Sequence, residues 1–361
     1  MGQDLAVAEG SISGDDDLVV ADLAAATTVP DAERGERGER ERRRRLAVVR
    51  RPRLAALSAR LRSLVAPLLG ITVFLAAWAA LAPQVRTSLG SLPGPAEVAS
   101  AGAGLVDEWR AARAAEAEFY RAQEERNAAL VAEGRPEAVQ EFRFSGPPTF
   151  ADQTWTSLRT VALGFLLATV VGVSVGLVGG LSRTFRAAIN PLVQLMRPVS
   201  PLAWLPIVTM VISATITSDD PLLPKSFVIS ALVVALCSVW PTLINTSVGA
   251  AAVDTDLVNV ARVLRLGWFA KLRKLVLPSA LPYIFTGMRL SLGVGWMVLI
   301  AAEMLSQNPG LGKFVWDEFQ NGSSQSLSRI MFAVFVIGLV GFTLDRLMSG
   351  LQHLAGRNRT A

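Results

Sequence analysis

The sequence predicts an all-α membrane protein that crosses the bilayer six times. Its 361 residues are 51% apolar and only 18% charged, with a mean hydropathy of +0.41. That balance is too apolar for an ordinary soluble protein of this length. The charges also leave long uncharged runs, and a helix needs roughly 20 mostly apolar residues to cross about 30 Å of hydrocarbon. Finally, a single cysteine (Cys237) and a single histidine (His353) exclude a disulfide framework and argue against a Cys/His metal centre. No cofactor is expected.

The elements follow in chain order. Residues 1–33 hold eight acidic residues and no Lys or Arg, and residues 34–63 hold twelve arginines against three glutamates. Such composition cannot bury a core. Residues 1–63 therefore read as a disordered acidic tail followed by a polybasic segment resting on anionic lipid, in preference to a nucleic-acid-binding arm. The first long apolar run begins at Leu64, which predicts no signal peptide. Residues 64–351 form the membrane domain. Its uncharged runs are Leu64–Val85, Thr160–Ser182, Pro198–Ser218 and Ser226–Val253. Leu275–Ala302 is interrupted only by Arg289, and Ile330–Leu344 is extended by Leu347 and Met348.

The Lys/Arg bias of the short loops sets orientation. The arginines before Leu64, Arg183 to Arg197, Asp254 to Lys274 and the tail 352–361 fall on one side. That side is the cytoplasm, with both termini in it, in a multi-pass protein of the inner (plasma) membrane. The long loop 84–153 is then extracytoplasmic. Its stretch Leu105–Glu133 is rich in Ala, Glu and Arg without Gly or Pro, and predicts an exposed helix. It reads as a solvated spacer or as a docking surface for an extracytoplasmic partner.

Gly172, Gly176 and Gly180 recur every four residues on one face of the second span. They fit close helix packing within the chain better than a seam between copies. Pro198, Pro201 and Pro206 interrupt the third span, and broken backbone at membrane depth is tolerated where it is protein-buried or lines water. Ser200, Pro201 and Trp204 are thus pathway candidates. So is Arg289, a charge inside a span, although a structural role for it is equally open. The segment Gln307–Gln320 predicts a short helix against the outer membrane face.

A P-loop is absent: at Gly312-Lys313 the first glycine is replaced by Gln307 and the hydroxyl residue by Phe314. No nucleophile–base pattern is visible, so the chain is not expected to be an enzyme. The coupling loop 254–277 is the most informative stretch. Leu257, Val260, Ala261 and Leu264 share one face of a short helix. Gly267 is expected to end that helix, and Pro278 and Pro282 open the fifth span. An apolar face in a loop needs a partner, either a protein groove or a lipid surface.

This loop resembles the cytoplasmic coupling loop of binding-protein-dependent ABC importer permeases. Their signature is Glu-Ala-Ala, three residues, Gly, nine residues, an apolar residue, one more, and Leu-Pro. Aligned on Leu277-Pro278, Asn259, Val260 and Ala261 take the Glu-Ala-Ala positions and Arg265 takes the glycine. The run Asn259 to Leu266 resembles the nitrate-type permeases, related to the taurine, alkanesulfonate and bicarbonate systems. So do Pro198 to Pro206, Trp240 to Thr246, Leu281 to Arg289, Ala301 to Leu305 and Gly310 to Asp317.

The resemblance implies an ABC importer permease fold with cytoplasmic coupling helices. It also implies two ATP-binding cassette subunits that hydrolyse ATP, a second permease copy, expected as a homodimer, and an extracytoplasmic solute-binding protein. Coupling falls to Leu257, Asn259, Val260, Ala261, Leu264, Arg265, Gly267 and Pro278. The cargo expected is a small oxyanion such as nitrate or nitrite, with sulfonate or taurine, bicarbonate or cyanate as alternatives. A secondary transporter would show an inverted repeat and membrane carboxylates. A channel would conduct without an ATPase.

Overall fold

The computed structural model describes residues 52–87, 90–217, 223–323 and 325–357. The acidic tail, the arginines up to Arg51 and residues 358–361 lie outside the described residues. Helix α1 is Pro52–Leu81, followed by a 3₁₀ turn Ala82–Gln84. The helix thus begins before Leu64, the expected edge of the membrane domain. A two-residue antiparallel pair comes next, β1 (Arg86–Thr87) with β2 (Gly90–Ser91). It is the only strand pairing among the described residues.

Helix α2 (Pro95–Ala132) starts earlier than its composition suggests. Pro95 stands at a first-turn position, where its missing N–H is harmless, and the Glu97 side chain accepts from Gly94 N at 3.1 Å. Only Val98, Gly102 and Leu105 of α2 are buried. The chain returning from α2 is stitched back onto it: Phe142 N donates to Gln123 Oε1 (2.7 Å) and Asn127 Nδ2 to Gln140 O (3.1 Å).

Helix α3 (Phe150–Leu181) opens with a capping box between Thr149 and Asp152. It ends where Arg186 donates to the carbonyls of Gly179 and Gly180 at 2.8 and 2.9 Å. A cation at a helix C-terminus satisfies orphan carbonyls in this way. Helix α4 (Arg183–Met196) and helix α5 (Pro201–Thr215) meet at a bend of 103°. The expected third span is therefore a bent pair and not a straight rod. Pro201 pushes the residue before it out of the helical region, and Ser200 is extended at ψ 143, whereas Arg197 before Pro198 stays helical. At 1.5 Å per residue α5 reaches roughly 22 Å, short of a full hydrocarbon thickness.

The remaining helices are α6 (Lys225–Ala251), α7 (Thr255–Val263), α8 (Trp268–Lys271), α9 (Leu277–Ser306), α10 (Leu311–Asn321) and α11 (Ser326–Arg357). A π segment, Leu272–Val276, joins α8 to α9. By length and composition five stretches among the described residues can cross a membrane: Val65–Gln84, Phe150–Leu181, Lys225–Ala251, Trp268–Ser306 and Ser326–Leu354. The bent pair α4–α5 makes a sixth when counted as one span.

The core is built by α3, α6 and α9. Gly164, Gly172, Gly176 and Gly180 present their backbone to α6, against Val234, Thr242, Thr246 and Ala250 in turn. The four-residue glycine repeat is thus an intrachain seam, as its spacing suggests. On the other side of α6, Gly287 of α9 sits against Pro241 O and Thr242 Cα, both 2.9 Å from where its Cβ would stand. Ser291 Oγ accepts from Thr242 N at 3.1 Å at this proline-interrupted turn. Helix α11 is anchored through Trp296 Nε1, which donates to Ile337 O at 3.0 Å.

Candidate functional site

The coupling loop starts at Asp254, whose carboxylate accepts from Asp256 N at 2.9 Å and caps α7. The helix ends sooner than expected. Leu266 N donates to Ala261 O (3.0 Å) and Arg265 N to Arg262 O (3.1 Å), with Arg265 in the left-handed region at φ 48. This is the helix-ending turn that glycine ordinarily provides. Arg265 keeps the glycine's conformation without its freedom, so Gly267 does not end α7. Gly267 is extended (φ −61) and opens α8 instead. A left-handed L-residue costs about 1 kcal/mol or more. Arg265→Gly is therefore expected to steady the loop by up to about 1 kcal/mol, read as slower proteolysis and amide exchange over α7. Faster exchange in that variant would refute this account of the turn.

The four apolar residues of α7 divide. Ala261 is 5% exposed and faces its own chain, whereas Leu257, Val260 and Leu264 are 45, 54 and 64% exposed. Val263, Trp268 and Phe269 are also exposed, so the coupling segment carries an exposed apolar ridge along α7 and further apolar side chains on α8. Such ridges on a described surface mark an interaction site. Asn259 Oδ1 accepts from Arg262 at 3.3 Å within α7. The root of the segment is firm: Val276 packs with Ala250, Ala280 and Ile284. Pro278 lies in the first turn of α9 and cannot donate to the preceding turn, which accounts for the π segment placed just before it.

The pathway candidates lie elsewhere. Ser200 caps α5, its Oγ accepting from Leu202 N at 3.3 Å, with Pro201 at the first helical position. Trp204 follows, its indole N–H buried without a hydrogen-bond partner. Arg289 does not join this group. Its guanidinium donates to both carboxylate oxygens of Asp345 on α11, at 2.6 and 2.9 Å. A bidentate pair is the geometry that offsets a charge inside a span. Asp345 is the partner that sequence reasoning left unassigned.

A second carboxylate went unassigned as well. Glu303, near the end of α9, is 0% exposed. Ser157 Oγ of α3 lies 2.9 and 2.8 Å from its two oxygens, and Gly312 N donates to Oε2 at 3.0 Å. Ser157 Oγ in turn accepts from Leu311 N at 2.8 Å, and Asn308 Nδ2 donates to Thr160 Oγ1 at 3.2 Å. The node ties α3, α9 and α10 together at the end of the bundle opposite α7. Its sequence signal is a lone acid closing an apolar run, with Gly310 and Gly312 shortly after it. Among the described residues no group of three or more His, Cys, Asp or Glu could hold a metal ion.

Residues 168–357 match the family described as the binding-protein-dependent transport system inner membrane component. The nitrate import permease protein of Synechococcus elongatus is 39% identical over 202 residues, covering 56% of this chain and 68% of that protein. The bicarbonate transport system permease protein of the same organism is 42% identical over 207 residues, covering 57% and 69%. A putative aliphatic sulfonates transport permease protein of Bacillus subtilis is 31% identical over 197 residues, covering 55% and 66%. The matched residues contain α7, the core helices α6 and α9, and Glu303, Asn308 and Gly312 of the buried node, while Ser157 and Thr160 precede them. With these similarities the chain belongs to the inner-membrane permease components of binding-protein-dependent ABC transport systems.

Proposed function

We propose that this permease forms the translocation path of an ATP-driven importer for a small oxyanion, nitrate or nitrite first. The observation that carries the coupling half of this reading is the exposed ridge of Leu257, Val260 and Leu264 on α7, seated on a firm root. It is the surface into which two ATP-binding cassette subunits dock, each permease copy offering one ridge. ATP is hydrolysed on those subunits and not on this chain. A second copy of the chain completes the path, and an extracytoplasmic solute-binding protein delivers the cargo.

Both termini and α7 face the cytoplasm, and α2 and α10 face outward. The arginine-rich run 34–63 stays on the cytoplasmic side against anionic lipid and takes no part in nucleic-acid binding. Ser200, Pro201 and Trp204 line the path at the bend between α4 and α5, where a buried N–H is left to offer. Arg289, already neutralised by Asp345, ties α9 to α11 and offers the anion little free charge.

For the cargo, the nitrate and bicarbonate relatives at 39 and 42% identity stand above the sulfonate relative at 31%. Nitrate and bicarbonate are both small, planar, singly charged oxyanions. Bicarbonate is the second reading, supported by its slightly higher identity.

Vesicles carrying the permease with its ATPase and binding protein test the reading. ATP-dependent nitrate uptake is expected, competed by nitrite and not by taurine. Taurine uptake in its place, or nitrate uptake that an ion gradient drives without ATP, would overturn it. In the same vesicles, made from the Cys237→Ala background, a cysteine at Ala128 on α2 is expected to react with an impermeant reagent added outside. Reaction only from the cytoplasmic side would reverse the topology.

A further inference from the structure

We propose that Glu303 is a positioning residue that fastens α10 to the end of α9, so that α10 moves with the coupling segment as the other end of one rod. The proposal rests on the reading of α7 as the ATPase contact.

Trp268–Ser306 is one helical run of 39 residues. At 1.5 Å per residue it is roughly 58 Å long, enough to join one side of the membrane to the other. At its far end the chain turns back at Gln307, in the left-handed region at φ 56, and α10 begins four residues later at Leu311. There is no slack in this turn. A Cβ on Gly310 would meet the Glu303 carboxylate, and one on Gly312 would meet the carbonyl of Ile300, which is backbone and cannot yield.

The first backbone donors of α10 are both committed to the node. Gly312 N binds Glu303 directly, and Leu311 N binds Ser157 Oγ, which itself donates to Glu303. Leu311 is 0% exposed and packs with Leu299 and Ala302 of α9. A displacement of the C-terminal end of α9 is therefore passed to the N-terminus of α10.

The other end of α10 is tethered differently. Glu318 accepts from Ser326 Oγ and from Arg329 of α11, each at 2.8 Å, and Arg329 also pairs with Glu108 of α2. These are contacts between side chains, whereas at the other end Glu303 and Ser157 each hold a backbone N–H of α10 directly. α10 is thus held by its backbone at one end and by side chains at the other.

An apolar residue of similar size would fill the Glu303 site without the desolvation penalty of a buried carboxylate. What it would not supply is an acceptor for the α10 backbone. The acid is thus placed to fix position more than to add stability.

The test uses the full complex in proteoliposomes, with a single cysteine at Phe319 on α10, an exposed position. Labelling by an impermeant maleimide is compared without nucleotide and with ATP plus vanadate. In the parent the labelling rate is expected to differ between the two conditions by several-fold. Glu303→Gln presents an amide to two donors, so the difference should collapse and uptake should fall about tenfold, the usual scale of a coupling energy. Co-purification of the ATPase should be unchanged, which a merely weakened fold would not give. Ser157→Ala, which removes one hydroxyl and keeps the acid, should lose part of the difference, and it carries the test if Glu303→Gln does not fold. A parent whose Phe319 site ignores nucleotide would overturn the proposal, as would a Glu303→Gln complex with the parental difference. Either result, found while Leu264→Asp still releases the ATPase, sinks this proposal alone. Retention of the ATPase by Leu264→Asp sinks the reading on which it rests.

Discussion

Gly176→Val is expected to keep α3 from seating on α6 and to leave a permease that does not survive detergent extraction as a folded protein. The position sits mid-seam. A Cβ there would stand 2.7 Å from both Leu243 O and Thr246 Cβ, and the first of these is backbone. Neither atom can move without shifting α6, which on its other face holds Gly287 of α9 just as closely. Overpacking a tight core usually costs about 1–3 kcal/mol, and a backbone collision between core helices belongs at or above the top of that range. That is a large share of a typical stability of about 5–15 kcal/mol. Gel filtration in mild detergent and a thermal aggregation curve make the measurement. Gly179→Ala serves as the comparison, because the one tight neighbour of its Cβ is Ser247 Oγ at 3.3 Å, on a side chain that can turn aside. A monodisperse Gly176→Val protein with the parental melting curve would mean that α3 and α6 are not packed through this glycine face.

Leu264→Asp is expected to release the ATPase from the purified permease while leaving the helical bundle intact. The side chain is 64% exposed, so the aspartate is solvated in the free chain and harms it little. In the complex the same carboxylate would be buried in an apolar groove with no partner. An uncompensated buried charge costs roughly 3–5 kcal/mol, and about 3 kcal/mol is more than a hundredfold in affinity. Val260→Asp should behave alike. Ala261→Asp cannot make this test, although its spacing places it on the same face. Ala261 is 5% exposed within its own chain, so that variant strikes the fold before it reaches any partner. Co-purification with tagged permease and ATP-dependent uptake are the readouts. Normal values of both in Leu264→Asp would hand α7 to the lipid surface instead.

The sequence by itself determined the class, the long apolar runs and the amphipathic stretch at 254–277. These are local properties: an uncharged run of sufficient length has one stable environment, and an apolar stripe at helical spacing must meet an apolar partner. The glycine repeat was legible for the same reason, since small residues four apart can only serve close approach. What the tertiary structure decided are the pairings across distance. That Arg289 meets Asp345, and that Glu303 meets Ser157 and the first amides of α10, depends on how three helices are registered against one another. No spacing within one helix encodes that register. The conformation of Arg265 was hidden differently. Its chemistry argues for continuing the helix, but the loop must turn there to return Leu266 and root α9, and the backbone bonds of that turn outweigh the local preference of one arginine. The bend between α4 and α5 lies between these cases. The prolines announce that a break occurs, while its angle of 103° is set by the packing of Val208 and Ile212 into the core of α3, α6 and α9.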